Sequence, residues 1–133
     1  MPIFILYTDG AARGNPGPAA IGIIIQDESG RVLREVGRTI GRATSNQAEY
    51  RALILGLEEA AKLGVPHLEV RTDSELVVRQ LNGRYRVKNA ALQPLFKQVS
   101  ELLRKFPSAT VRHIPREANK RADALVNAVL DAR

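Results

Sequence analysis

Hydrophobic positions along the first forty residues alternate with short turn signals, a pattern typical of β-strands. The apolar runs predict strands over residues 2–8, 19–26 and 31–40. A loop rich in glycine and proline over 9–18 and a four-residue turn over 27–30 separate these strands. Because short connections join antiparallel neighbours, the three strands are expected to form a meander.

Helical spacing replaces the strand pattern in the next part of the chain. Residues 45–63 contain no proline and end before Gly64, so they predict a long helix. The remaining elements are a strand over 68–72, a helix from a Thr72–Glu75 capping box to Asn82-Gly83, a helix over 93–106, a strand over 109–114 and a helix over 117–130. The order βββαβααβα predicts an α/β fold whose mixed five-stranded sheet carries helices on both faces.

Composition narrows the class of protein. The chain has 133 residues, of which 44% are hydrophobic and 26% charged, so residues 1–133 are expected to form a single globular domain. There is no cysteine, which excludes a disulfide scaffold, a zinc ribbon and a thiol nucleophile. A reducing, cytoplasmic location is therefore expected. The apolar run Ile3–Leu6 is too short for a membrane span or a signal peptide.

The charge of the chain is unevenly distributed. Residues 1–66 carry seven basic and seven acidic side chains, whereas residues 67–133 carry thirteen basic and seven acidic ones, so the net charge of +6 lies in the second half. A one-sided basic surface suits a polyanion such as nucleic acid. A basic face that serves only solubility explains the composition equally well.

Four acidic residues occupy positions where a carboxylate is unusual. Asp9 ends the first predicted strand, and Asp73 stands where a parallel strand runs into its helix. Glu49 and Asp123 fall on helical rows whose other members are small or apolar. Taken singly, each residue has a plainer interpretation as a turn, a helix cap or an acid at the solvent edge.

The four residues have a functional interpretation if the fold brings them close together. Ligand sites in α/β sheets lie at the carboxyl ends of strands, where Asp9 and Asp73 are predicted. Four converging carboxylates would repel one another strongly unless divalent cations were bound. Ligands that are all oxygen atoms, without cysteine or paired histidine, favour Mg²⁺ or Mn²⁺ over zinc.

Four sequence blocks in order resemble type 1 ribonuclease H. They are Tyr7-Thr8-Asp9-Gly10-Ala11 with Asn15-Pro16-Gly17-Pro18, Thr44-Ser45-Asn46-Gln47-Ala48-Glu49, Thr72-Asp73-Ser74, and Asn119-Lys120-Arg121-Ala122-Asp123. The resemblance covers essentially the whole chain. It implies the ribonuclease H fold, with Asp9, Glu49, Asp73 and Asp123 as the metal-binding catalytic set. It also implies an endonuclease that hydrolyses the RNA strand of RNA/DNA hybrids.

A two-metal-ion mechanism accounts for the acidic set that the resemblance implies. Two ions about 3.5–4 Å apart can activate the attacking water and stabilise the leaving 3′ oxygen. Asp9 is the best candidate to bridge both ions, with Glu49 and Asp73 completing one shell and Asp123 the other. The expected products carry a 5′-phosphate and a 3′-hydroxyl, and no side-chain nucleophile is needed.

The resemblance also implies a set of substrate contacts. Main-chain amides of the small residues beside Asp9, together with nearby polar side chains, would contact the 2′-hydroxyls and base edges of the RNA strand, and two residues match positions that hold a phosphate of the DNA strand. The RNA-side set is Gly10, Ala11, Ala12, Asn15, Asn46 and Gln47, and the DNA-side set is Thr44 and Asn46. Helix capping and turn formation are the alternative roles for the polar residues.

The chain departs from the family pattern in two places. Some members carry a basic protrusion that grips the hybrid, whereas this chain runs almost directly into its next helix and is expected to be a compact form. The short cluster Arg84, Arg86 and Lys88 is predicted to replace the protrusion in part, with a solvated loop as the alternative. Glu75 stands where many relatives have a glutamine that contacts substrate, and it is alternatively only a capping residue.

Two basic residues near the fourth acid are candidates for an auxiliary catalytic role. Many type 1 enzymes have a mobile histidine after the last strand, and His113 lies ten residues before Asp123. His113 is, however, predicted to lie within the strand, whereas Arg116 belongs to the predicted loop Pro115–Glu117. Arg116 is therefore the better candidate for contact with the scissile phosphate or product.

Parts of the sequence suggest three other functions. A nucleotide-binding P-loop is excluded, because the Gly10–Gly17 stretch lacks the Gly-Lys-Ser/Thr ending and joins two strands. A non-catalytic module that binds hybrids keeps the fold but has no use for clustered carboxylates. A DNA-processing nuclease of the same fold stays open, although the Asn15, Asn46 and Gln47 set favours RNA. The expected partner is an RNA/DNA hybrid, and the expected state is a monomer without membrane association.

Overall fold

The computed structural model describes residues 2–133, and its elements follow the predicted order. The strands are β1 (Phe4–Ala12), β2 (Gly17–Gln26), β3 (Val32–Ala43), β4 (His67–Thr72) and β5 (Ser108–His113), and the helices are α1 (Ser45–Lys62), α2 (Glu75–Leu81), α3 (Gln93–Leu103) and α4 (Lys120–Ala132), with a 3₁₀ turn at Arg116–Asn119 before α4. Within residues 2–133, no helix combines the length and the apolar character that crossing a membrane requires.

The five strands form one mixed sheet in the order β3-β2-β1-β4-β5. The hairpin pairs β1–β2 and β2–β3 are antiparallel, whereas β1–β4 and β4–β5 are parallel and are joined through helices. The sheet and the α/β class are as predicted. This arrangement places the carboxyl ends of β1 and β4 side by side.

Helices cover both faces of the sheet, as predicted. On one face, Leu6 and Ile23 of the sheet are fully buried against Leu53 and Leu57 of α1, and α2 and α3 add to the same core. On the other face, α4 buries Val126 and Leu130 in a smaller cluster that includes Ala20. Glu49 and Asp123 therefore approach the end of β1 from opposite sides.

The first strand is longer than predicted. β1 continues through Asp9 to Ala12, so the predicted loop over 9–18 is wrong, and only residues 13–16 connect β1 to β2. Asp9 is accordingly not the end of the strand but lies in the ladder opposite Gly22. The residues after Asp9 have small side chains and none is β-branched, which resembles a loop. At Gly10, however, the lack of a side chain is what allows α1 to pack closely against the strand.

The N-terminal cap of α2 differs from the prediction, whereas the cap of α1 matches the alternative role given to its polar residues. The predicted capping box at Thr72–Glu75 is wrong, because Thr72 completes β4 and the N-cap of α2 is Ser74. The Ser74 hydroxyl accepts a hydrogen bond from the Val77 amide at 3.4 Å. A capping box does form at α1, between Thr44 and Gln47.

The ends of the last helices also differ from the prediction. The 3₁₀ turn occupies residues 116–119, so Arg116 lies in a helical turn rather than in the predicted loop, and α4 begins at Lys120 instead of residue 117. The helix α3 has Pro94 in its first turn as expected but ends at Leu103, three residues early. The 3₁₀ turn fixes the backbone of Arg116 more firmly than a loop would.

A buried hydrogen bond between Tyr50 and Gln80 joins α1, which contains Glu49, to α2, which follows Asp73. The Tyr50 hydroxyl donates to Gln80 Oε1 at 2.5 Å, and both residues are buried. Tyr50→Phe is expected to lower the free energy of unfolding by about 1–3 kcal/mol, because the Gln80 oxygen loses this partner. Urea unfolding measures this. Tyr50→Phe combined with Gln80→Leu should recover part of the loss, and strictly additive losses would contradict the direct coupling.

Candidate active site

Three carboxylates from three different elements meet where β4 ends beside β1. Asp9 comes from β1, Glu49 from the second turn of α1, and Asp73 from the junction between β4 and α2. One carboxylate oxygen from each lies within 4.8 Å of the other two. The structure therefore brings together three of the four acids that the sequence singled out.

The approach of α1 to β1 depends on Gly10. A Cβ atom at this position would collide with the main-chain carbonyl of Ala48 and would stand 2.7 Å from the amide nitrogen of Glu49. With no side chain in the way, the Gly10 amide donates a hydrogen bond to Glu49 Oε1 at 2.7 Å. This contact fixes the Glu49 carboxylate beside Asp9.

Burial and mutual repulsion raise the pKa values of the two inner acids. Asp9 is only 6% exposed, and burial, the neighbouring charges of Asp73 and Asp123 and a hydrogen bond with Asp123 raise its pKa to about 8. Burial followed by repulsion from Asp9 and Asp73 raises the pKa of Glu49 well above its usual value, although the Gly10 amide opposes this. The protein alone thus favours protonated carboxyls at neutral pH.

Asp73 and Asp123 complete the set of four acids. Burial raises the pKa of Asp73, while the charge of Arg116 and a hydrogen bond from Asn119 oppose the rise and Asp123 adds to it. Asp123 lies half-buried in the first turn of α4, where its carboxylate accepts from the Asn127 amide at 3.3 Å. Asp123 borders Asp9 but does not belong to the tight group of three.

The donor set fits a hard divalent cation. The ligand atoms are carboxylate oxygens, which Mg²⁺ and Mn²⁺ prefer, and three negative charges within 4.8 Å of one another need a cation for compensation. In the absence of a cation, protonation is the other way to relieve the repulsion, which is why the pKa of Asp9 is high. Asp9, Glu49 and Asp73, with Asp123 beside them, are the residues able to hold such ions.

Asn119 is a buried polar residue at the site that the sequence analysis did not single out. It is 1% exposed, its side-chain amide donates to the main-chain oxygen of Thr8 at 2.9 Å, and its Oδ1 has no partner among protein atoms of residues 2–133. Asn119 also opposes the rise in the pKa of Asp73. Its position within the block that ends at Asp123 was the available signal.

Several polar residues predicted to contact substrate also serve the local structure. Thr44 and Gln47 satisfy each other in the capping box of α1, and Asn15 Oδ1 accepts from the Ser45 amide at 3.0 Å. Gly10, Ala11 and Ala12 lie in β1, and Asn46 is exposed in the first turn of α1. The capping interpretation therefore holds for Thr44 and Gln47, and the caps place the N-terminus of α1 next to the acids.

The basic candidates lie around the acidic cluster. Arg84, Arg86 and Lys88 are exposed between α2 and α3, in a segment too short to contain a separate protrusion. Arg116 is close enough to Asp73 to lower its pKa. His113 ends β5, in the strand as expected, and its side chain lines a cavity against α2, on the opposite side of the sheet from Asp123.

The raised pKa of Asp9 predicts how the metal-free protein responds to pH. The folded protein binds a proton at Asp9 up to a pH of about 8, whereas the unfolded chain releases it near 4, so stability should fall as pH rises between these values. Thermal melts in chelator at pH 5 and pH 8 measure this. We expect a smaller decrease in Asp9→Asn, and an equal decrease in both proteins would contradict the assignment.

Comparison with known proteins agrees with this geometry. The family model described as "Reverse transcriptase-like" matches residues 7–129. A crystal structure of RNase H1 from Halobacterium salinarum is 46% identical, covers 98% of this chain and 99% of its own, and superposes with a TM-score of 0.96. The structure of LC11-RNase H1 in complex with an RNA/DNA hybrid is 47% identical with a TM-score of 0.92, each chain being covered to 97%.

Curated relatives extend the comparison to sequences. Ribonuclease HI of Halobacterium salinarum is 49% identical over 125 residues, which is 94% of this chain but 63% of the relative. Ribonuclease H of Roseobacter denitrificans is 35% identical over 122 residues, covering 85% of this chain and 79% of the relative. The chain thus spans less than two thirds of the Halobacterium relative but most of the Roseobacter one. The chain belongs to the type 1 ribonuclease H family.

Proposed function

We propose that this chain is a metal-dependent endonuclease that hydrolyses the RNA strand of RNA/DNA hybrids. The convergence of Asp9, Glu49 and Asp73 within 4.8 Å carries the proposal, because a hybrid-binding module without catalysis gains nothing from carboxylates beside phosphate. The related LC11-RNase H1 structure contains an RNA/DNA hybrid, which supports the same substrate class.

The four acids would together bind two divalent ions. Asp9 would contact both, Glu49 and Asp73 would complete the shell of one, and Asp123 that of the other. Bound at this site, the ions supply activation of the attacking water and stabilisation of the leaving oxygen. The Gly10 amide holds Glu49 in place, and Asn119 favours the charged form of Asp73.

The bond changes define the products. The water oxygen forms a bond to phosphorus and gives up a proton to solvent, while the bond from phosphorus to the 3′ oxygen breaks and that oxygen takes up a proton. The strand ends are then a 5′-phosphate and a 3′-hydroxyl.

Recognition of RNA is assigned to groups beside the acids. Main-chain atoms of Gly10, Ala11 and Ala12 and the side chains of Asn15, Asn46 and Gln47 would contact 2′-hydroxyls and base edges, which distinguish RNA from DNA. Thr44 and Asn46 would hold a phosphate of the DNA strand. Arg84, Arg86 and Lys88 would contact the backbone in place of a protrusion. The exposed position of Asn46 in the first turn of α1 supports its role.

A cleavage assay on matched substrates tests the proposed function. A hybrid, a duplex RNA and a duplex DNA of one sequence are end-labelled and incubated with the protein and Mg²⁺ or Mn²⁺. We expect cuts within the RNA strand of the hybrid, an intact DNA strand in that hybrid and an intact duplex DNA. Cleavage of duplex DNA at a comparable rate would favour the DNA-processing alternative, and binding without cleavage would favour the non-catalytic one.

Arg116 is expected to matter more for turnover than His113. The Arg116 charge lies near Asp73, whereas His113 faces a cavity beside α2. Arginine stays charged at neutral pH, so it would bind the scissile phosphate or product and not transfer a proton. Steady-state kinetics should show a lower kcat in Arg116→Ala than in His113→Ala, with activity left in both. A much larger loss of kcat in a folded His113→Ala would reverse the assignment.

We also propose that the protein acts as a monomer in the cytoplasm. The proposed location rests on the absence of cysteine and the membership of the chain in this family. Sedimentation analysis across a range of concentrations measures the mass. A single species near 14.6 kDa is the expected result, and a concentration-dependent dimer would contradict it.

A further inference from the structure

A polar cavity of about 290 Å³ lies between α2 and β5, and its lining does not include the four acids. Its lining consists of Glu75, Val78, Arg79, Asn82, Arg84 and His113. Thr72 pairs with His113 across the parallel strands, and the Ile114 amide donates to the Thr72 oxygen at 2.9 Å. Asp73 directly follows Thr72, and Glu75 two residues later lines the cavity, so the cavity lies close to Asp73.

The charges in this cavity leave a net positive site. Glu75 is neutralised by Arg79, whose guanidinium lies 2.6 Å from its carboxylate. Arg84 has no carboxylate within 4.0 Å among residues 2–133, and His113 is exposed. The guanidinium of Arg84 and an imidazole N–H of His113 are therefore both available as donors.

The backbone of Arg84 is anchored rather than part of a free loop. The amides of Arg84 and Tyr85 both donate to the Arg79 main-chain oxygen, at 2.8 and 3.2 Å. The Arg79 guanidinium also lies 5.3 Å from the centre of the Tyr85 ring, a cation–π contact. A donor on an ordered segment loses less entropy when it binds a ligand than a donor on a mobile segment does.

The position of the cavity indicates which strand of a hybrid would reach it. Thr44, which is proposed to hold the DNA strand, follows β3 at one edge of the sheet, whereas the cavity borders β5 at the other edge. The acidic cluster on β1 and β4 lies between them. A nucleic-acid strand that enters the cavity therefore lies on the side of the acidic cluster opposite to Thr44. This position fits the RNA strand and not the DNA strand.

We propose that Arg84 and His113 bind a phosphate of the RNA strand next to the cleaved linkage. This inference rests on the proposed function and adds a subsite to it. The neutralised Glu75 does not repel that phosphate, because Arg79 compensates its charge. Arg84 and His113 are then binding residues that raise affinity for substrate, with little effect on the chemical step.

Hybrids with a single neutral methylphosphonate test this subsite. The uncharged linkage is moved one position at a time along the RNA strand on both sides of one defined cleavage point, and KM and kcat are measured for each hybrid. Arg84→Ala is expected to raise KM about tenfold on the unmodified hybrid, with a smaller effect of His113→Ala and kcat nearly unchanged. At one linkage position, the neutral hybrid should show no further increase of KM in either variant.

A matched control and the possible outcomes make the test specific. Arg112→Ala removes a charge one residue from His113, on the other face of β5, and should leave KM within about twofold because an exposed pair such as that of Arg112 with Glu69 contributes little. Arg84→Lys should recover part of the affinity.

If the native protein neither cleaves nor binds hybrid, the proposed function fails and the subsite with it. If it cleaves hybrid but the variants behave alike at every linkage, only the subsite is wrong.

Discussion

Asp9→Asn is expected to reduce the rate of hybrid cleavage by about a thousandfold or more, which corresponds to roughly 4 kcal/mol of transition-state stabilisation. A carboxylate oxygen of Asp9 lies within 4.8 Å of oxygens of Glu49 and Asp73, and Asp9 also interacts with Asp123. The amide has nearly the same shape but lacks the charge needed to contact both ions. Single-turnover cleavage of a labelled hybrid at saturating Mg²⁺ measures the change.

The same substitution should leave the metal-free fold as stable as before, or slightly more stable. Burial and repulsion destabilise the charged form of Asp9, and the neutral amide removes that repulsion. Asp131→Asn is the matched control, because this exposed acid at the far end of α4 has Arg13 as its only ion-pair partner within residues 2–133. We expect it to retain cleavage. A clear loss of stability in metal-free Asp9→Asn would instead assign Asp9 a structural role.

Gly10→Ala is expected to disrupt both the fold and the activity. The new methyl group would overlap the Ala48 carbonyl, so α1 has to move away from β1, and Glu49 loses its 2.7 Å hydrogen bond from the Gly10 amide. Overpacking combined with the loss of a charge-assisted hydrogen bond should lower the free energy of unfolding by about 3 kcal/mol or more. Urea unfolding and the cleavage assay measure the two effects.

Gly37→Ala provides the control for this substitution. A Cβ at Gly37 would lie 3.2 Å from a methyl group of Val129 and 3.3 Å from the main-chain oxygen of Leu125, contacts that small shifts relieve. At Gly10, by contrast, the Ala48 main-chain carbonyl would be only 2.4 Å away. The expected change in stability is within about 1 kcal/mol, with cleavage retained. If Gly10→Ala unfolds at the same urea concentration as the native protein and cleaves normally, the close approach of α1 to β1 is not as described.

The sequence predicted the order and type of all nine strands and helices, because most have a clear period of two or 3.6 residues. It failed at the end of β1, where Gly10–Ala12 have little strand propensity. What holds them in the ladder is pairing with β2 and the need for small residues beneath α1, and both are tertiary effects. The misplaced cap at Thr72 has a similar cause, because pairing with β1 and β5 extends β4 through that residue.

At the site, the sequence identified the acids but not their surroundings. Asp9, Glu49 and Asp73 stood out because each interrupts an apolar pattern or follows a predicted strand. Asn119 did not stand out, since its importance comes from burial and from its bond to the Thr8 oxygen, which lies 111 residues away in the chain. The cavity at Arg84 and His113 likewise joins segments that no local pattern links.

Metal dependence of hybrid cleavage tests the central claim most directly. A hybrid labelled on the RNA strand is incubated with the native protein in excess chelator, and Mg²⁺ or Mn²⁺ is then added beyond the chelator. We expect no cleavage in chelator and full recovery with either metal, with 5′-phosphate and 3′-hydroxyl ends on the RNA. Cleavage that continues in excess chelator would contradict the assignment of Asp9, Glu49, Asp73 and Asp123 as metal ligands.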